Sequence, residues 1–401
     1  MIHSAEELFE ALTVALDGEL DAAVALRHSL HQYPCLSGKE APAAATLATA
    51  LGLPVRSIAG TGFMARTGPD FGPAVGIRAE LDALPLYEAT GVEWAAENGV
   101  MHACGHDVHQ AAMVAFVRAA GRVRLPAAVV AIAQPREEGH PSGARDIVDE
   151  GGLETAGIGA VLAVHVHHAL PAGSVSILGG SVNAAYDEFT ITVHGRGGHG
   201  AYPHLAVDPV PVAARITLAL YDLVRSSVSP VEAATLTVGM LSAGTARNVI
   251  PDTAVLGGTL RSMTAEDQER MHRGLREVAE HQAMSFGARA AVSIDRGDPV
   301  LVNDDEMARL GARWVQRAGL PLGEPLRSCG SDDFAFFTQK VPGLMAFLGV
   351  DGHESVVAPE HPRALHSSSF LPADSAVEQT ARALAGMYVG AALRLGVVSE
   401  P

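Results

Sequence analysis

The sequence predicts an α/β protein: a mostly parallel sheet whose strands end in metal-competent residues, interrupted by an inserted βαββαβ module. Three observations carry this. Short apolar runs alternate with helical patterns from residue 74 to residue 168. Each run is followed by carboxylates or a histidine, namely Glu80 and Asp82, Glu137 and Glu138, then His165. From Ala184 the pattern changes to half-exposed alternating strands, and polar strand ends resume after the module.

The 401 residues suffice for two or three domains at roughly 100–200 residues each. Hydrophobic residues are 48% and charged residues 18%, a globular rather than a disordered balance. A net charge of −17 argues against nucleic acid and anionic membrane surfaces as partners. An anionic small substrate would need a local arginine. Three cysteines, Cys35, Cys104 and Cys329, make no disulfide framework. There is no basic-then-apolar leader, and no apolar run nears the roughly 18 residues of a membrane span. These features together predict a cytoplasmic setting.

In chain order, residues 5–33 show apolar positions at helical spacing (Leu8, Leu12, Leu16, Leu20, Val24, Leu30) and predict one long helix stopped by Pro34. Residues 40–51 predict a second helix. An apolar strand beginning at Ala74 ends in Glu80 and Asp82; two solvated acids are the competing reading. Met101 to His109 then concentrates three histidines, a cysteine and an aspartate in nine residues. Imidazole and thiolate are common ligands of zinc-like ions. Cys104 and His106 are two apart and do not share a helix face. A loop turning at Gly105 would let them converge, with a helix over residues 110–122. A surface histidine cluster, or a buried free cysteine beside satisfied histidines, is the alternative.

Residues 127–133 predict a buried strand leading into Gln134-Pro135-Arg136-Glu137-Glu138-Gly139. Paired glutamates can divide labour, one binding metal and one accepting a proton from water; they can also be merely solvated. A helix over 143–150 and a strand over 160–164 follow, the strand ending at His165. His167 and His168 read as rim or surface residues.

The inserted module comprises a strand at 188–193, a helix at 212–224, strands at 235–240 and 255–260, a helix at 265–285 and a strand at 290–294. Residues 195–200 formally match GxGxxG. Pro203, Pro209 and Pro211 keep a helix from opening on that loop, so a dinucleotide site is rejected. A helix at 305–318, a polar turn at 329–334, a strand at 343–348, the segment Leu365-His366-Ser367 and a closing helix at 373–395 complete the chain. The predicted boundaries are 1–182 and 298–401 for one discontinuous domain and 183–297 for the insert.

Eight motifs in order carry a resemblance: HACGHD at 102–107, QPREEG at 134–139, His165 in VHVHHALPAG, GRGGHGAYPH at 195–204, NVIPD at 248–252, GTLRS at 258–262, GSDDF at 330–334 and LHSSSF at 365–370. The sequence resembles the amidohydrolase branch of the aminoacylase/carboxypeptidase-type metallopeptidases, which includes hippurate hydrolases and plant auxin–amino-acid conjugate hydrolases. The match runs from about His31 to Leu395.

The resemblance implies a catalytic domain with two adjacent divalent ions (zinc, manganese, cobalt or nickel) and an inserted lid that also forms a homodimer. It maps metal ligands onto Cys104, His106, Glu138, His165 and His366, and the general base onto Glu137. It maps an oxyanion-steadying histidine, which in relatives reaches a neighbouring subunit's site, onto His199. Asn248 and Arg261 map onto substrate-holding positions, and Asp82 onto an acid that orients a ligand. The implied reaction is hydrolysis of N-acyl-amino acids by a metal-held water. A dipeptidase or carboxypeptidase, and a non-catalytic binder of acyl-amino acids, are the rival readings. Three positions depart from the family pattern: Cys35 and Asp332 stand where relatives usually carry an acid and Glu respectively, and Glu80 where they carry Asp. Cys35, Cys329, His167 and His168 are left without a role.

Overall fold

The computed structural model describes residues 4–353 and 364–400. They divide into two compact units. One comprises residues 1–180, 302–326 and 336–401; the other comprises 181–301 and 327–335.

The first unit is built on a seven-stranded sheet. Its strands lie in the order Val55–Ile58, Gly62–Thr67, Ala128–Gln134, Ala74–Glu80, Ile158–His167, Gly343–Gly349, Val175–Ser176. The four central strands are mutually parallel, and antiparallel strands flank them on both sides. This is the expected mostly parallel α/β sheet. The central strands are buried along most of their length and read as near-continuous apolar runs, as two covered faces require. The helix His106–Ala120 is buried at every residue but Arg118, and Ser375–Arg394 along most of its length.

Several local expectations are corrected. The N-terminal helix is two helices, Ala5–Asp17 and Leu20–Gln32. The break at Gly18 turns Glu19 inward, where its buried carboxylate meets Arg118 at 2.6 Å and also Arg122. Apolar spacing runs on unbroken because both halves face the same core. The Val55–Ile58/Gly62–Thr67 hairpin carried no sequence signal. Its turn uses Ala59 and Gly60 at positive φ, in place of the usual Asn-Gly or Asp-Gly. The helix after the histidine-rich stretch begins at His106, not Gln110.

The second unit is a four-stranded antiparallel sheet, ordered Ala234–Ala243, Thr253–Ser262, Ala185–His194, Arg289–Arg296. Helices Pro209–Ser227 and Ala265–Met284 share its core with Phe189, Ile191, Val193, Leu256 and Leu260. The first helix starts three residues earlier than the prolines suggested. Pro209 and Pro211 sit in its first turn, where an amide proton is not needed, and Asp208 caps it by accepting from Val210 N–H at 3.0 Å. A separate two-stranded pairing sets His199 opposite Val249.

Candidate metal centre

All four central strands of the first unit point their carboxyl ends the same way, so the residues after each strand collect along one edge. There the structure gathers Cys104, His106, Glu137, Glu138, His165 and His366, which the sequence scatters over more than 260 positions.

The histidine ring states follow from their partners. His106 Nδ1 donates to the Asp82 carbonyl at 2.8 Å, so in the neutral ring the lone pair is on Nε2, which is buried and without a hydrogen-bond partner. His165 Nδ1 donates to the Val166 carbonyl at 2.7 Å, and its Nε2 faces Cys104 Sγ at 3.6 Å. This is the arrangement by which outer partners orient metal-binding imidazoles.

Donor atoms form two groups that share Glu138. One is Cys104, Glu138 and His366; the other is His106, Glu137 and Glu138. His366 Nε2 stands 3.3 Å from Glu138 Oε1, which nonetheless has no hydrogen-bond partner. His106 Nε2 lies 3.7 Å from Glu137 Oε2. Separations of about 3.3–3.8 Å are the edge lengths of a tetrahedron with metal–ligand arms of roughly 2.0–2.3 Å. Each orphaned buried polar atom costs about 1–3 kcal/mol. Several such atoms converging on one spot therefore fit a cation better than a solvent-free protein site. Burial first, then the Glu138 and Glu137 charges, push the Cys104 thiol well above its ordinary range. A bound cation reverses that preference, since a coordinated thiol loses its proton.

A further grouping, Glu80, His106, His109 and His165, is equally close, but His109 is spent. Its Nδ1 pairs with Glu80 at 2.9 Å and its Nε2 accepts from Val166 N–H at 3.0 Å. Glu80 also pairs with Arg78. The Arg78–Glu80–His109 chain thus braces the strand that carries His165. Asp107 lies outside the donor groups, its Oδ2 taking Arg27 at 3.0 Å and His31 at 3.1 Å. Burial opposes charge on His31, but Asp107 and Glu88 outweigh it and push its pKa up to about 9.

The backbone at the site is held under constraint. Gly105, at φ 82, makes the turn between Cys104 and His106, and a side chain there would strike Val166. His366 has φ 65, a costly conformation for a non-glycine residue and one that recurs where ligands are clamped. Its N–H donates to the Ala103 carbonyl at 2.8 Å, tying His366 to the loop that carries Cys104. Asp82 ties the Glu pair to the same region: its carboxylate accepts from Glu138 N–H at 2.9 Å and from Ser37 Oγ at 2.6 Å.

One anchoring residue was missed at the sequence level. Glu40, fully buried, accepts from the N–H of Arg136 at 3.0 Å, from Gly38 N–H at 2.7 Å and from Thr61 Oγ1 at 2.6 Å. Arg136 itself sits at φ 49, immediately before Glu137. An acid at the start of a helix reads as an ordinary end residue, so no local signal distinguishes Glu40. His167 and His168 stack on each other at 5.0 Å and accept from Ala169 and Leu365 N–H groups. They belong to none of the donor groups.

In the second unit, the His199–Val249 pairing brings His199 beside Asn248, whose carbonyl accepts from Gly200 N–H at 2.8 Å. Arg261 lies on the Thr253–Ser262 strand, opposite Tyr186.

A family model described as peptidase family M20/M25/M40 matches residues 76–385. The N-acetyl-L-cysteine deacetylase of Bacillus subtilis is 36% identical over 337 residues, 82% of this chain and 80% of its own length. The N-acetyldiaminopimelate deacetylase of Leuconostoc mesenteroides is 36% identical over 294 residues, 72% of this chain and 76% of its own. A Bacillus subtilis crystal structure, described as a dinuclear metal binding peptidase from the M20 family, is 27% identical. It aligns with TM-score 0.81 over 95% of this chain and 100% of that one. Together with the donor groups sharing Glu138, these support a two-metal site.

Proposed function

This chain belongs to peptidase family M20/M25/M40 and is a metal-dependent amidohydrolase, and on that premise we propose that it cleaves the amide bond of N-acyl-amino acids, releasing a carboxylic acid and a free amino acid. The observation that carries the reading is the convergence of an orphaned His106 Nε2 with the Glu137–Glu138 pair. Cys104, His106, Glu138, His165 and His366 would hold two divalent ions, whether zinc, manganese, cobalt or nickel. When bound, such ions supply Lewis acidity and lower the pKa of water, to about 7 in the zinc case.

Glu137 accepts the proton of the attacking water and returns it to the amine as the C–N bond breaks. Glu138 and Asp82 keep that carboxylate's neighbourhood fixed. His199 accepts from Ala201 N–H at Nδ1, 3.1 Å away. The neutral ring therefore carries its proton on Nε2, a donor suited to the oxyanion of the tetrahedral intermediate. Asn248 and Arg261 hold the substrate, Arg261 through its carboxylate.

The choice of substrate rests on the two deacetylase relatives, whose names specify N-acetylated amino acids. A panel of N-acetyl- and N-benzoyl-amino acids run against dipeptides, with metal content measured alongside, is expected to show turnover of the acylated set. Preference for dipeptides would install the dipeptidase reading. No turnover by a metal-loaded sample would favour a binder. His199→Ala is expected to lower kcat by about 10²–10³-fold, and near-normal turnover would remove His199 from the mechanism.

We also propose that the second unit forms a homodimer. Among the described residues, its edge strand Ala234–Ala243 has a neighbouring strand on one side only and exposes Met240 and Leu241, which lie 70% and 54% accessible. An exposed apolar edge is a pairing template. Light scattering should give twice the 41.5 kDa chain mass; a monomer at micromolar concentration would exclude it.

A further inference from the structure

Arg261 is the residue assigned above to the substrate carboxylate, and the second unit shows how it is held. Tyr186 and Arg261 are directly paired across adjacent antiparallel strands. Along the Ala185–His194 strand, Ala185, Asp187 and Phe189 are buried while Tyr186 and Glu188 are not. Tyr186 therefore stands on the sheet face opposite the one holding Phe189 and the two helices. Its ring is not needed by that core.

The guanidinium carbon of Arg261 lies 4.7 Å from the centre of the Tyr186 ring. The ring is itself fixed, since its hydroxyl donates to Glu188 Oε1 at 2.6 Å. Burial and the Glu188 hydrogen bond push the phenol up to about 12, so it stays neutral and keeps its proton on that bond. On another side, Arg261 Nη1 donates to the Cys329 carbonyl at 2.8 Å. That carbonyl is pinned because Ala184 N–H donates to Ser328 and Gly330 oxygens, each at 3.1 Å, and the Asn183 side chain to Gly330 at 3.2 Å. Among the described residues, no carboxylate pairs with Arg261, and Nη1 is its only nitrogen with a protein hydrogen bond. An aromatic face and one fixed carbonyl set the plane of the guanidinium. The edge left over, Nε–H and Nη2–H, is the fork that binds a carboxylate through two parallel bonds.

We infer that Tyr186 is a positioning residue for substrate selection: it holds the Arg261 guanidinium so that its remaining edge selects a substrate with a free α-carboxylate. This rests on the reading of Arg261 as the carboxylate-binding residue. Cys329 takes part through its backbone carbonyl.

The test compares kcat/KM for the N-acyl-amino acid turned over fastest in the panel with that for its α-carboxamide, in metal-loaded enzyme. Tyr186→Leu removes the π face and should raise KM for the acid by about tenfold, as loss of a partly buried cation–π contact predicts. kcat, and the constants for the carboxamide, should stay as they were. Tyr186→Phe keeps the face and should keep most of the acid preference. Equal losses on acid and amide, or no loss with Tyr186→Leu, would overturn the inference. Arg261→Gln separates the two levels. If it collapses the acid preference and Tyr186→Leu does not, only the Tyr186 role falls. If it leaves the preference intact, the carboxylate reading of Arg261 falls and takes this inference with it.

Discussion

Glu137→Gln is expected to retain fold and metal while kcat falls by at least 10²–10⁴-fold, the range over which a positioned general base contributes. The amide is nearly isosteric with the carboxylate, and its oxygen can still face His106, which stands 3.7 Å from the native Oε2. It cannot take a proton from water at neutral pH. KM should change little, because the lost interaction belongs to the transition state and not to substrate binding. Metal analysis and single-turnover kinetics on the same preparation check this. A metal-replete variant with near-normal kcat would remove Glu137 from the role of base.

The second large effect concerns Glu138. It is the one residue common to both donor groups, Cys104–Glu138–His366 and His106–Glu137–Glu138. Glu138→Ala should therefore lower stoichiometry from two ions per chain to near zero when two equivalents of metal are supplied per chain. His366→Ala, which touches only the first group, should lower it to about one. Both variants should lose activity. Glu138→Ala should also lose the metal-dependent part of the thermal shift while His366→Ala keeps a reduced one, because an ion that binds only the folded state stabilises it by mass action. Removing Glu138 leaves the His366 ring without the carboxylate that now raises its pKa. Equal metal content in the two variants would show that Glu138 is not shared.

The outcome at Asp82 shows how far local sequence reaches. Its place after an apolar strand marked it as a site residue, and the resemblance gave it a ligand-orienting role. The structure shows two separate contacts: the backbone carbonyl accepts from His106 Nδ1 and the carboxylate accepts from Glu138 N–H. A carbonyl is present at every residue, so nothing in the residue type could announce the first contact. Glu40 is the opposite case. Its carboxylate fixes Arg136, the residue before the proposed base, yet 96 positions separate the two and no periodicity links them. The histidine-rich stretch was legible as a ligand source but not in its allocation. His109 and Asp107 have ligand chemistry; buried partners, Glu80 and Val166 N–H, withdraw His109, and Asp107, paired through Oδ2 with Arg27 and His31, stands outside the donor groups.

By itself the sequence determined the α/β class, the insert with its βαββαβ order, and the residue types and motif order of the site. These depend on apolar periodicity and on side-chain chemistry, which are local properties. Only the tertiary structure decided which lone pairs remain open, which histidines are consumed by hydrogen bonds, and that Glu138 is common to two donor groups. Those outcomes depend on distances of a few ångströms between strand ends far apart in sequence. A parallel sheet sets these distances by stacking its carboxyl ends along one edge, and no residue encodes them alone.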